Sequence, residues 1–132
     1  MKRRLLSALM LLVAAAFSLP LFAHHGNAAL DTTKKVTMKA VVTDWRWQNP
    51  HSILKFDVKD DSGNVVNWSA EINNPADMVE RGWTARSIKI GDQITITVNP
   101  VKNGKPVGRI VQVVLPDGKI LNTQYVNQQQ NQ

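Results

Sequence analysis

From residue 36 onward the chain alternates apolar and polar side chains over short stretches separated by turn residues. Val36, Met38, Ala40 and Val42 alternate with Thr37, Lys39 and Thr43, the period of two expected of a half-buried strand, and the pattern runs on to Trp47. Asp44 interrupts it, which predicts a bulge that bends this long first strand. After a turn at Pro50 and His51, Leu54, Phe56 and Val58 face one way and Lys55, Asp57 and Lys59 the other. Residues 60–64, Asp-Asp-Ser-Gly-Asn, form a hairpin loop, and a third strand places Val66, Trp68, Ala70 and Ile72 opposite Asn67, Ser69 and Glu71.

The pattern then changes. Asn74 is placed as a helix N-cap, Pro75 as the first helical residue and Asp77 within the first turn, so a short helix is expected over residues 75–81, stopped by Gly82. Trp83 is expected to pack back on the barrel end. Ile94, Ile96 and Val98 mark a fourth strand, Asn103-Gly104 a tight hairpin, and residues 107–115 a nearly continuous apolar fifth strand followed by a turn at Asp117-Gly118. Three strands, a short helix and two more strands is the order of the OB-fold. The expected class is therefore all-β with one short helix, a five-stranded OB-like antiparallel barrel. An open β-sandwich is the rival, and the lone helix after strand three favours the barrel.

The segment before this domain has a different character. Lys2, Arg3 and Arg4 precede an apolar stretch over residues 5–17, and Pro20 breaks the helix before Ala23, the pattern of a secretory signal over residues 1–23. Gly26-Asn27-Ala28 is a competing cleavage site. The apolar run is shorter than the ~20 residues of a membrane span, so no stable anchor is expected after cleavage. Residues 24–34 read as a flexible arm, 35–121 as the barrel, and 122–132, rich in Gln and Asn, as a disordered tail. Export places the protein in a bacterial periplasm. Of its 16 Lys and Arg residues three leave with the signal, so 13 face 10 acidic residues, a balance of +3 that gives no reason to expect a nucleic-acid partner. The absence of cysteine excludes disulfides and thiolate metal sites.

Three histidines make up the whole imidazole inventory: His24, His25 and His51. Cleavage after Ala23 makes His24 the first residue, and its free amine and imidazole then form a chelate suited to Cu(II), with Zn(II) second. The opposing reading leaves His24 and His25 on an unstructured arm and His51 simply following a turn proline. Trp45, Trp47 and Glu71 are the candidate ligand groove, for a peptide or glycan of the cell envelope. Trp68, on the apolar face of its strand, reads as core. Glu71 reads as a solvated or salt-bridged strand residue unless it serves that groove. No nucleophile with its base, no paired carboxylates and no phosphate loop are present, so nothing here specifies an enzyme and no catalytic residue is assigned.

Several marks run through the mature chain: His24-His25 just after the signal, Trp47-Gln48-Asn49-Pro50-His51, Trp68 and Glu71, Arg81-Gly82-Trp83, Ile88-Lys89-Ile90-Gly91-Asp92, Pro100 with Gly104 and Gly108, and Leu115-Pro116-Asp117-Gly118. On these the chain resembles the small exported bacterial proteins grouped as domain of unknown function 6152. It departs from their usual look at Gly26-Asn27, where a Ser-Phe-like pair often follows the histidines. The resemblance implies export and an OB-like barrel, and it supplies no activity. The expected function is a periplasmic binding module for a small ligand or a metal ion, copper first. The alternative is an envelope interaction module without a metal site.

Overall fold

Strand β1, Val36–Arg46, is long enough to serve two neighbours. Its first half pairs antiparallel with β4, Gln93–Pro100, and its second half with β2, Ser52–Lys59. The change of partner is possible because the strand bends. Val42 lies opposite Phe56 and Asp44 opposite Lys55, so Thr43 is an extra residue, the bulge expected where Asp44 breaks the alternation. One inserted residue also reverses the parity. Val42 faces inward before the bulge, and Trp45, opposite the buried Leu54, faces inward after it. These coordinates are a computed structural model that describes residues 29–124.

Strand β2 continues through the hairpin at residues 60–64 into β3, Val65–Ile72, where the Asp60 carboxylate accepts the backbone N–H groups of Ser62 and Asn64. A five-residue helix, α1, Pro75–Val79, follows. Strand β4 pairs with β5, Val107–Val114, and a three-residue strand β6, Ile120–Asn122, extends the free half of the β5 edge. The other half of that edge meets β3, with Ala70 opposite Gly108 and Glu71 opposite Arg109, and this contact closes the barrel.

The closed unit is the expected five-stranded OB-like barrel, with one refinement. Four of its pairings are antiparallel and the β3–β5 seam is parallel. A closed ring of five strands cannot alternate direction throughout, so one parallel contact is unavoidable. β6 lies outside the ring.

The core is formed by the inward rows. Val42, Leu54, Phe56, Ala70, Ile96, Val98 and Ile110 are all buried. Trp68, half-buried, stacks on Phe56 with ring centroids 6.2 Å apart, which places it in the core as its strand face implied. The connection from β3 to β4 plugs one end with Met78, Trp83 and Ile88. Helix α1 is short and ends at Val79, two residues before the expected stop, but its start is as the sequence implies: the Asn74 side chain accepts the Asp77 N–H at 3.0 Å.

The arm expected over residues 24–34 is held from Ala29 on. Leu30 is buried and bridges to Val101, Asp31 N donates to Pro100 O at 2.8 Å, and Lys102 N donates to Ala29 O at 2.9 Å. Burial of Leu30 and these backbone hydrogen bonds together hold the segment on the barrel wall. At the other end, Asn122 belongs to β6, and Thr123 donates its N–H and hydroxyl back to β5, so chain order extends past residue 121. The signal expected over residues 1–23, His24 and His25, and the expected tail from residue 125 on lie outside the described residues.

Candidate functional site

The turn from β1 to β2 carries His51 and is held by short polar contacts. The Asn49–Pro50 peptide is cis. Ser52 is fully buried, and its hydroxyl accepts the Gln48 N–H at 3.3 Å and donates to the Gln48 carbonyl at 3.4 Å, so the turn closes on itself. Ser52 also donates its own N–H to Asn73 O, which ties the turn to the end of β3.

His51 is half-buried, and its Nδ1 lies 3.3 Å from Ile72 O. A carbonyl oxygen can only accept. In the neutral ring this contact therefore puts the proton on Nδ1 and leaves Nε2 with its lone pair. That is the arrangement found in metal-bound histidines, whose second nitrogen usually donates to a backbone carbonyl or carboxylate. No three His, Asp or Glu side chains gather as a metal-holding cluster among the described residues. A three-ligand site of such side chains that includes His51 would need at least one of them from outside residues 29–124, where His24 and His25 fall.

The groove expected from Trp45, Trp47 and Glu71 does not form as one surface. Trp45 is opposite Leu54 on the inner face, whereas Glu71 is opposite Ile53 and Arg109 on the outer face. Trp45 packs between Trp47 and Trp83, with centroids 5.7 and 6.2 Å away, and its Nε1 donates to Ala85 O at 3.2 Å. Both indoles are half-buried against the core, so they serve the closed end of the barrel. The bulge decides this. It turns the odd-numbered residues of late β1 inward, away from the face that carries Glu71.

Glu71 instead faces Arg109 across the seam, Oε1 to Nη1 at 3.9 Å. Arg109 also donates from Nη2 to Asn73 Oδ1, and Asn73 Nδ2 donates to Asp77 Oδ2 at 3.3 Å. Arg81, just past α1, donates from Nη1 to Asp77 O at 3.2 Å. Seam and helix are thus joined by one polar network. The sequence signal for it was slight: Arg81 stands in the Arg81-Gly82-Trp83 mark, but Arg109 is the one charged residue of a mostly apolar strand. Only the β3–β5 register brings it to Glu71.

A charged group near the arm shows a clear shift. The Asp31 carboxyl lies below its ordinary 3.8, first because it accepts the Thr33 hydroxyl at 2.6 Å; desolvation opposes this, and the Thr33 N–H and then the Lys34 ammonium lower it further.

A closed OB-like barrel with a tied β1–β2 turn defines the class of protein. Residues 11–110 match the model of the family of unknown function DUF6152, and the chain belongs to that family. The matched stretch includes His24, His25 and His51. Neither a curated protein nor a solved structure matches the chain.

Proposed function

We propose that this protein is an exported periplasmic binding module that takes a divalent metal, Cu(II) before Zn(II), on His51 together with His24 and His25. The observation that carries the reading is the His51 Nδ1 contact with Ile72 O, which leaves Nε2 as a lone-pair donor on a turn anchored to the barrel. An all-nitrogen set of imidazoles and a terminal amine suits Cu(II), and the chain has no cysteine to favour Cu(I). In this reading the barrel serves as the rigid support and the N-terminal segment closes over the turn. Export supplies the terminal amine, because only cleavage after Ala23 makes His24 the first residue.

The test is calorimetric titration of Cu(II) into protein recovered from the periplasm, its first residue established by intact mass. A start at His24 and a saturable site of one Cu(II) are expected. His51→Ala should weaken the site at least as much as the loss of an outer-shell partner does, about tenfold. Deletion of His24 and His25 should do the same. Affinity equal in all three proteins, or a mature chain starting at Ala29, overturns the reading.

A further inference from the structure

We infer that the open edge of strand β1 is a docking site for a partner protein, which it takes as an extended acidic peptide added to the sheet as a further strand. β1 pairs with β4 from Val36 to Val41, but its pairing with β2 begins only at Val41, opposite Asp57. On the β2 side, residues 36–40 therefore have no paired strand. β2 itself runs on to Lys59 along β3 and diverges from β1 as it does so. The space left is a cleft of about 630 Å³, whose walls include Thr37, Met38 and Lys39 of β1 and Val58 and Lys59 of β2. Backbone parity fixes what this edge offers. Val42 donates its N–H to Asp92 O and accepts the Gly91 N–H, so its main chain points to the β4 side. Main-chain groups alternate along a strand, and those of Thr37 and Lys39 therefore point to the open side. Such a row of donors and acceptors is a template for another strand.

The side chains set the class of peptide. On the inner row Met38 and Val58 are half-buried against the core, so alternate residues of an added strand would meet apolar surface there. On the outer row Lys39 and Lys59 are exposed, and neither has an ion pair among the described residues. Asp57, the carboxylate of the cleft lining, already accepts Asn67 Nδ2 at 2.6 Å, and Asp60 and Asp61 belong to the hairpin outside that lining. The edge is therefore basic on its outer row and apolar on its inner row. A peptide that alternates apolar and acidic residues complements both, and residues 36–40 give it a length of about 17 Å to pair with. A second copy of the chain is a poorer occupant, because it would bring one Lys39 row against another, and facing like charges destabilise a strand pair. The chain's own residues 125–132 carry no acidic side chain.

The experiment is a ¹H–¹⁵N NMR titration of the full chain with a short end-blocked peptide that alternates valine and glutamate. A valine–lysine peptide tests the charge, and the valine–glutamate peptide N-methylated on every backbone amide tests main-chain pairing. Saturable shifts at the amides of Thr37, Lys39 and Lys59 are expected with the first peptide and with neither control. Lys39→Glu changes an exposed side chain, so the rest of the spectrum should stay as in wild type while binding weakens about threefold or more. Lys59→Glu should act in the same direction. Silence of the valine–glutamate peptide, or equal shifts with either control, overturns the proposal. So does a concentration-dependent dimer whose shifts fall on residues 36–40, which would assign the edge to a second copy.

Discussion

Gly108 and Asn99 approach so closely across the β4–β5 pairing that a Cβ built on the glycine would stand 2.7 Å from the Asn99 carbonyl oxygen. The same added carbon would meet the Val98 side chain at 3.2 Å. Gly108 is paired on its other side with Ala70, so it sits in the seam that closes the barrel. The lack of a side chain at Gly108 is what lets β5 lie this close to Asn99 and Val98 of β4.

Gly108→Ala is therefore expected to destabilise the protein by about 1–3 kcal/mol, the usual cost of forcing an extra carbon into packed surroundings. The clash is with backbone, which cannot swing away as a long side chain would. Urea unfolding followed by tryptophan fluorescence measures it. A midpoint equal to wild type would mean that the β4–β5 pairing has slack at Gly108.

Trp83 is fully buried and its Nε1 donates to Asn122 O at 2.8 Å, so one side chain both plugs the barrel end and holds β6. Trp83→Phe keeps a ring but removes the donor and part of the volume, at an expected cost of about 2 kcal/mol. Amide exchange at residues 120–122 should quicken more than at the β1–β2 pairing. Uniform change across the sheet would argue that the indole bond does not specifically retain β6.

The side chain of Asn74 caps a helix of five residues that delivers Met78 to the core. Asn74→Ala should cost about 1 kcal/mol, whereas Asn74→Asp, which still offers an acceptor to the Asp77 N–H, should cost much less. Thermal unfolding of both variants beside wild type distinguishes the cap from a general effect of substitution.

Acid should loosen the local turn that the Asp31 carboxylate makes with Thr33 and Lys34. The folded Asp31 carboxyl lies below its unfolded value, so its contribution is fully present above the unfolded value of 3.8 and is lost as pH falls through the folded one. NMR titration of the Asp31 carboxyl should give a midpoint below 3.8, and exchange of the Thr33 and Lys34 amides should rise in the same range. Asp31→Asn should abolish that pH-dependent step. A midpoint at or above the ordinary value would remove the proposed Thr33 and Lys34 stabilisation.

Much of the barrel could be read from local pattern. The alternation in β2 and β3, the break at Asp44, the Asn74 cap and the hairpin at Asn103-Gly104 each depend on residues a few positions apart, and their geometry is set by backbone sterics and short hydrogen bonds. The candidate sites were harder to read. Trp45, Trp47 and Glu71 are near one another in an unfolded strand diagram, but the inserted Thr43 and the pleat separate them onto two faces.

The amino-acid sequence by itself determined the strand order, the bend of β1 and the helix start, because these are energies of neighbouring residues. Tertiary structure alone decided which distant residues meet: Leu30 on Val101, Trp83 on Asn122, Glu71 on Arg109. Closing a ring of five strands imposes one parallel seam, and in that seam Ala70 lies opposite Gly108 and Glu71 opposite Arg109. No window of a few residues contains that information, since the contact joins segments whose separation along the chain is bridged only when the barrel has formed.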